Sequence, residues 1–458
     1  MIQIGVGRKD INPSLDVPHA GWGAQTHIFA DGIESDLYTT ALYLTDGTTN
    51  SILIDIDACL YLIDQSNQVR EAVAEATGLP FEQIRLSVTH AHSGPIFWSD
   101  YYKSAEAARQ KYFQLMLTQT VEAALEAKHN RVAVTVESGV GACHVGVNRR
   151  QRLDSGRVIT GANAAGPMDP DVGVVRFEDA EGAVVATIVH YSAHPTTLGY
   201  TYKLHSPDYP GVVKRVVEQL SGGTCLFLQG ATGNVGPGPE GFLSNLTATQ
   251  RIGTIIGAEA VKVSLELGAN ALQHEFVGVT ESGASLGIFN TTKPMKEQSI
   301  RTLHTHISLP LRELTPLDEA KATYTRLAEE LDRLQTGGGS AEEISAVSFQ
   351  MKRAFLNWDT SRKYNGMTHT DIEVQVLRIG DMVLIGTPLE PFVEIGLHIK
   401  AHSPFRVTLF SGYSNGHLGY LPIAEAYAQG GYEVITSPFA QGAAELFMEK
   451  MTELLNRL

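Results

Sequence analysis

SILIDIDA (51–58), DQSNQVREAVAEAT (64–77) and IRLSVTHAH (84–92) form the stretch whose reading decides the fold. The first segment is β-branched and apolar on both sides, the pattern of a buried strand. The second has helical periodicity and is stopped by Gly78 and Pro80. The third alternates apolar and polar, as a strand does. Strand, helix, strand in that order predicts a parallel pair with a right-handed crossover.

The pattern recurs twice. VVATIVHYSAH (184–194) precedes a helix predicted over 208–220, with Asp208 as N-cap and Pro210 in its first turn, and then the strand TCLFLQ (224–229). DMVLIGT (381–387) precedes the helix PFVEIGLHIKAH (391–402) and the strand FRVTLF (405–410). Polar residues follow the strand ends in all three copies: Asp57, His90 and His92; His194 and the loop QGATGNVGPG (229–238); Glu390 and the loop SGYSNGHLGY (411–420). Open α/β sheets bind ligands outside those carboxyl ends, so these residues are predicted to meet in one cleft. The expected architecture is α/β, with mixed, largely parallel sheets, flanking helices and a metal site at the C-terminal strand ends.

Between the second and third copies, VGVTESGASLGIF (277–289) and LHTHISLPLREL (303–314) read as β-structure. PLDEAKATYTRLAEELDRLQ (316–335) and a second helix predicted near 341–357 read as a helical hairpin inserted on the surface at about 316–357. No flexible linker divides the 458 residues, which are expected to form one catalytic domain without a C-terminal β-sandwich.

With 43% apolar residues, the chain can bury a large core. A formal net charge of -15 argues against nucleic acid and anionic membranes as partners. Cys59, Cys143 and Cys225 are far apart and form no CxxC pair, so no disulfide framework is suggested. No signal peptide is read at MIQIGVGRKD (1–10), and the apolar run 51–63 is broken by Asp55 and Asp57 and too short to span a bilayer. The expectation is a cytoplasmic enzyme with a small-molecule substrate and no membrane insertion; a homo-oligomer is compatible with the sequence.

In THAHSGP (89–95), His90 and His92 are two apart and would face the same way on an extended strand. They read either as two metal ligands or as one ligand and one hydrogen-bonding histidine. His190 and His194 are four apart, as in HExxH helices, but no glutamate follows His190 and Pro195 follows His194. His194 at the strand end is the ligand candidate, and His190 reads as a core histidine. Glu390 reads as a ligand or as an acid at a helix N-terminus. Tyr420 becomes a ligand only where a cation lowers its phenol pKa. Arg149 in VGVNRRQR (145–152) can bind a substrate oxygen, or lie at the surface. The two Gly-rich loops could offer N–H groups to an oxyanion and otherwise serve as tight turns.

Taken together, THAHSGP (89–95), VNR (147–149), SAHPTTLG (192–199) with HSPDYPG (205–211), QGATGNVGP (229–237), TPLEPFVEIG (387–396) and SNGHLGYLPIAEAY (414–427) resemble the catalytic domain of the neutral (alkaline, non-lysosomal) ceramidase family, from IGVGRKDINP (4–13) to EAYAQGGYE (425–433). The resemblance implies one zinc ion per chain, held by His90, His194, Glu390 and Tyr420. It implies substrate contacts for His92 and Arg149, and it matches Asp208 to the acid of the family's SxD segment. The expected chemistry is hydrolysis of an amide or related acyl bond. His92 or Asp57 would serve as general acid–base, and Tyr420, Arg149 and a loop N–H would stabilise the oxyanion. Asp208, Gly230, Asn234 and Asn415 are expected to bind substrate. Ceramide-cleaving members carry a serine near the position of Gly233 here, are secreted or membrane-associated, and add a β-sandwich. The expected substrate is therefore small and polar rather than ceramide. Two other readings fit the residues: a metal-dependent glycosidase, lyase or isomerase on a sugar or polyol, and a non-catalytic binding protein.

Overall fold

The computed structural model describes residues 1–19, 21–238, 241, 244–293 and 298–458. Strands β1 (Gln3–Asp10), β2 (Tyr38–Thr45) and β3 (Asn50–Ile56), helix α1 (Ile63–Thr77) and strand β4 (Ile84–Val88) build the first sheet, in the order β4-β3-β2-β1 with a short edge strand at Val132–Ala133. Helix α2 (Glu106–His129) follows. Strands β5 (Thr135–Ala142), β6 (Asp171–Glu178) and β7 (Val184–Tyr191), helix α3 (Asp208–Ser221) and strand β8 (Thr224–Gln229) form the second sheet, ordered β8-β7-β6-β5. Helix α4 (Leu246–Asn270) and the ribbon β9 (Gln273–Ser282) and β10 (Ala284–Thr292) come next. The third sheet holds β11 (Ile300–Pro310), then, after helices α5 (Leu317–Gly337) and α6 (Ala341–Lys363), β12 (His369–Ile379) and β13 (Met382–Gly386). Helix α7 (Val393–Ala401) and strand β14 (Val407–Ser411) complete it, in the order β11-β12-β13-β14.

All three expected strand–helix–strand units are present, and in each the two strands pair in parallel: β3 with β4, β7 with β8, and β13 with β14. The expectation of largely parallel sheets is corrected, because every other pairing within these three sheets is antiparallel. The reason is connection length. Turns such as Asp46–Thr49 and Gly380–Asp381 are too short for a crossover and return the chain alongside itself.

One apolar cluster joins the three sheets: Ile4, Leu42 and Leu53 from the first, Phe177, Ile188 and Leu226 from the second, Leu377, Leu384 and Leu409 from the third. Each sheet buries its other face against its own helices, as where Val69, Val73 and Met116 cover the first. This shared core brings the carboxyl ends of the parallel pairs together. Asn415, past β14, donates its N–H to the Leu86 carbonyl of β4, and Gly230, past β8, donates to the Tyr191 carbonyl at the end of β7.

The helical hairpin is present as α5 and α6, and α6 supplies Phe355, Leu356 and Lys363 to the wall of the cleft described below. Among the described residues, no helix is long and apolar enough to cross a membrane.

Candidate metal centre

His90 lies two residues beyond the end of β4, in the left-handed region at φ 64°. A non-glycine residue pays for that conformation in strain, and such strain collects at functional sites. The His90 N–H is tied to the Ala58 carbonyl, and the ring stacks on Tyr413 with centroids 4.1 Å apart. His90 and His92 therefore do meet, but through this turn and not through a strand's pleat as expected, since β4 has already ended.

Each of three histidines directs Nδ1 at a backbone carbonyl: His90 to Cys59 at 2.7 Å, His194 to Thr232 at 2.7 Å, and His92 to Gly21 at 3.1 Å. A carbonyl only accepts, so in each ring Nδ1 carries the proton and Nε2 presents a lone pair. The lone pairs confront one another: His90 Nε2 lies 3.1 Å from His194 Nε2 and 3.2 Å from His92 Nε2. Burial holds all three rings below the ordinary histidine pKa, His92 at about 3, so protonation does not relieve the conflict.

Glu390 completes the ring. It sits in a two-residue strand, Glu390–Pro391, that pairs in parallel with Tyr420–Leu421, placing Glu390 beside Tyr420. Its Oε1 accepts from His417 Nε2 at 2.7 Å. Its Oε2 is buried without a hydrogen-bond partner, 3.6 Å from His90 Nε2 and 3.5 Å from His194 Nε2. Donor atoms of His90, His194 and Glu390 all lie within 4.8 Å of one another, the spread of a shared cation site. Cys59, His90 and His92 form a second, overlapping group. Facing lone pairs and an orphaned buried carboxylate oxygen are costly unless a cation sits among them, so the residues present fit a metal ion.

Tyr420 accepts a hydrogen bond from Arg149 Nη2 at 3.1 Å. The same Nη2 reaches the Gly233 carbonyl at 2.7 Å, and Arg149 Nε is paired with Glu433. Arg149 is thus buried and fixed, not a surface arginine. Without a cation, burial and Glu390 push the Tyr420 phenol well above its ordinary value.

His90, His92, Glu390 and Tyr420 line a cleft of about 320 Å³, whose walls include Trp22, Trp98, Tyr101 and Phe355. A larger depression of about 660 Å³ lies beside the Gly380–Asp381 turn, at the other end of β13 from Glu390, and holds none of these groups.

Other expected site residues are occupied in scaffolding. Asp57 is buried against Lys214 at 2.7 Å and accepts from the Tyr38 N–H, so the general base expected of it is not available to the cleft. Asp208 is not the N-cap, which is Pro207; its carboxylate accepts from Thr197 Oγ1 and from the N–H groups of Leu198 and Tyr209. The Gly230 N–H is spent on Tyr191. Asn234 binds Val393 N–H and Glu394, and Asn415 binds Leu86 N–H, Glu373 and Gln375. None of the four lines the cleft in this structure. Each lies at a strand end as read, but points into the joints between elements.

Residues that sequence reasoning missed include His417, Thr232 and Tyr413. Thr232 fixes His194 through its carbonyl, and its hydroxyl lies 2.6 Å from the hydroxyl of Tyr413, which stacks on His90. All three lie inside the two Gly-rich loops singled out by sequence, but nothing in those loops marks these residues over their neighbours.

Fold and site together define a cleft at converging strand ends whose buried side chains could hold a cation. A family model described as neutral/alkaline non-lysosomal ceramidase, N-terminal, matches residues 2–242, more than half of the chain. The chain belongs to that family, one of hydrolases. The neutral ceramidase of Pseudomonas aeruginosa is 24% identical over 497 residues, covering 100% of this chain and 72% of that protein. The neutral ceramidase of Mycobacterium tuberculosis is 21% identical over 508 residues, covering 99% of this chain and 76% of that protein. The crystal structure of the P. aeruginosa enzyme matches with a TM-score of 0.69 at 21% identity, over 100% of this chain and 75% of that one.

Proposed function

We propose that this protein is a zinc-dependent hydrolase, with one ion per chain, that cleaves an amide or related acyl bond in a small molecule. The reading is carried by one observation: Glu390 Oε2, buried and unpartnered, faces the Nε2 atoms of His90 and His194. Those three residues, with Tyr420, would hold the ion; a nitrogen and oxygen donor set suits zinc. When bound, zinc supplies Lewis-acid polarisation and a water of lowered pKa.

The chain's own groups do the rest. His92 lines the cleft and, with its Nδ1–H held by the Gly21 carbonyl, would use Nε2 to take a proton from the attacking water and return it to the leaving amine. Arg149 keeps a fixed positive charge beside the Tyr420 hydroxyl, where both can meet charge developing on the carbonyl oxygen. Gly233 has no room for a side chain: a Cβ there would lie 2.7 Å from the Glu390 carbonyl oxygen. No side chain at that position takes part.

The cleft walls narrow the substrate. Trp22, Trp98, Tyr101 and Phe355 favour an apolar group on the acyl compound over a wholly polar molecule, and about 320 Å³ is at the small end of ~300–1,000 Å³ ligand pockets. Three free, buried cysteines are compatible with a reducing cytoplasm. Zinc-loaded protein should release free acid from N-acyl compounds and lose that activity on chelation. Cleavage of glycosides with no acid released from any N-acyl compound would refute the proposal.

A further inference from the structure

Arg149 and Arg150 are neighbours on the strand Val147–Arg152, where a regular pleat would send them to opposite faces. The pairing of that strand with Val158–Asn163 slips by one residue between Asn148 and Arg150. At this irregularity both guanidiniums reach one carboxylate. Glu433 Oε1 accepts from Arg149 Nε and its Oε2 from Arg150 Nη1, each at 2.9 Å. All three side chains are buried, and Glu433 is only 1% exposed. Among the described residues neither arginine has another ion pair, so the cluster keeps one uncompensated positive charge away from water. Such a cluster is a costly way to gain stability alone, because charges taken out of water are repaid only by close pairing.

The two halves of the cluster face different tasks. Glu433 takes Arg149 Nε, while the Gly233 carbonyl and the Tyr420 hydroxyl take Arg149 Nη2, which fixes the plane of the guanidinium. The same carboxylate offsets the repulsion between the two arginines, which would otherwise push Arg149 away from Arg150. Arg150 instead ties down the short helix Tyr432–Thr436. Its Nη2 donates to the Gly430 carbonyl at 2.6 Å, and Gly431, at φ 97°, makes room for it: a Cβ there would lie 3.0 Å from Arg150 Nη1. That helix gives Tyr432 and Thr436 to the cleft wall. One carboxylate therefore serves both a wall and a charge, and removing Arg150 separates the two.

We propose, resting on the hydrolysis proposed above, that Glu433 is a positioning residue that holds the Arg149 guanidinium on Tyr420, where charge develops on the acyl oxygen. The test compares Glu433→Met with Arg150→Met in the zinc-loaded enzyme, using a short-chain acyl p-nitroanilide. Arg150→Met cuts two ties to the helix and keeps Glu433 on Arg149, so both variants should raise KM through the loosened wall. A misplacement of ~1 Å in a group aligned with the transition state costs about 100-fold, so kcat should fall by about 100-fold in Glu433→Met and far less in Arg150→Met. A second readout needs no turnover. In protein carrying isotope-labelled arginine, with Arg149 assigned through Arg149→Lys, the two Nη atoms should give separate NMR signals in wild type and Arg150→Met. They should merge in Glu433→Met, whose guanidinium is released to rotate. If Glu433→Met does not fold, the double variant Arg150→Met, Glu433→Met keeps the net charge of the cluster and is read against Arg150→Met. Equal losses of kcat in the two single variants would overturn the proposal, as would separate Arg149 signals that persist once Glu433 is gone. A wild type that cleaves no acyl substrate sinks the function proposed above and leaves the Arg149 signals to decide the role of Glu433.

Discussion

Replacing Glu390 by glutamine separates a metal ligand from a structural acid. The substitution keeps shape and one carbonyl-type oxygen but removes the charge. In the structure, Oε2 lies 3.5–3.6 Å from two Nε2 lone pairs, so an ion shared by the three would sit close to the carboxylate. At an effective dielectric of ~20, unit charges 4 Å apart interact by about 4 kcal/mol, hence about 8 kcal/mol for a dication. Allowing half of that to be recovered by the amide oxygen leaves about 4 kcal/mol, roughly a thousand-fold in Kd. Chelator competition on zinc-loaded protein measures this directly.

The metal-free proteins provide the control. If Glu390 served only to pair with His417, glutamine would cost about 1–3 kcal/mol of stability and leave metal binding intact. The present reading expects the opposite: without metal, the variant's thermal midpoint equals or exceeds that of wild type, because an orphaned buried oxygen has lost its charge. Unchanged zinc affinity in Glu390→Gln would refute the reasoning.

Three further outcomes follow from the geometry. Tyr413→Phe removes the Thr232 hydroxyl contact while keeping the stack on His90, and should weaken zinc binding by roughly 10-fold, with Tyr413→Leu weaker still by chelator competition. Asp57→Asn leaves Lys214 with Asp55 alone; it should cost about 1–3 kcal/mol in urea unfolding while kcat of the folded enzyme is unchanged, and a large loss of kcat would restore Asp57 as a base. His205 is fully buried with neither ring nitrogen partnered, and burial, then His19, hold its pKa at about 3 against 6.5 unfolded. A depressed folded pKa means stability present above 6.5 and lost as pH falls toward 3, because the unfolded chain then binds the extra proton. His205→Phe should therefore flatten the acid limb of urea-midpoint measurements without loss at neutral pH; an unaltered limb would contradict this.

How much of this was legible in the sequence divides along physical lines. SILIDIDA and its two later counterparts revealed the parallel pairs because a doubly buried strand is apolar on both faces, and the intervening helices carry their own period. The antiparallel partners were under-read because a strand such as TVESGVGA (135–142), half exposed and glycine-bearing, has a weak pattern, and register depends on tertiary pairing. At the site, His90, His194 and Glu390 were legible as reactive side chains past strand ends. What makes them a site is not in side-chain letters: the acceptors that fix their tautomers are the carbonyls of Cys59, Thr232 and Gly21, and every residue has a carbonyl. The same blindness explains the corrections. Asp57, Asp208, Asn234 and Asn415 also follow strand ends, and only the positions of Lys214, Leu198 N–H, Val393 N–H and Leu86 N–H show that their polar atoms are already committed. A polar residue at a converging strand end is a ligand when its free atom faces other free atoms, and a scaffold when it faces backbone. Glu390 spends Oε1 on His417 and keeps Oε2 unpartnered, facing the Nε2 atoms of His90 and His194.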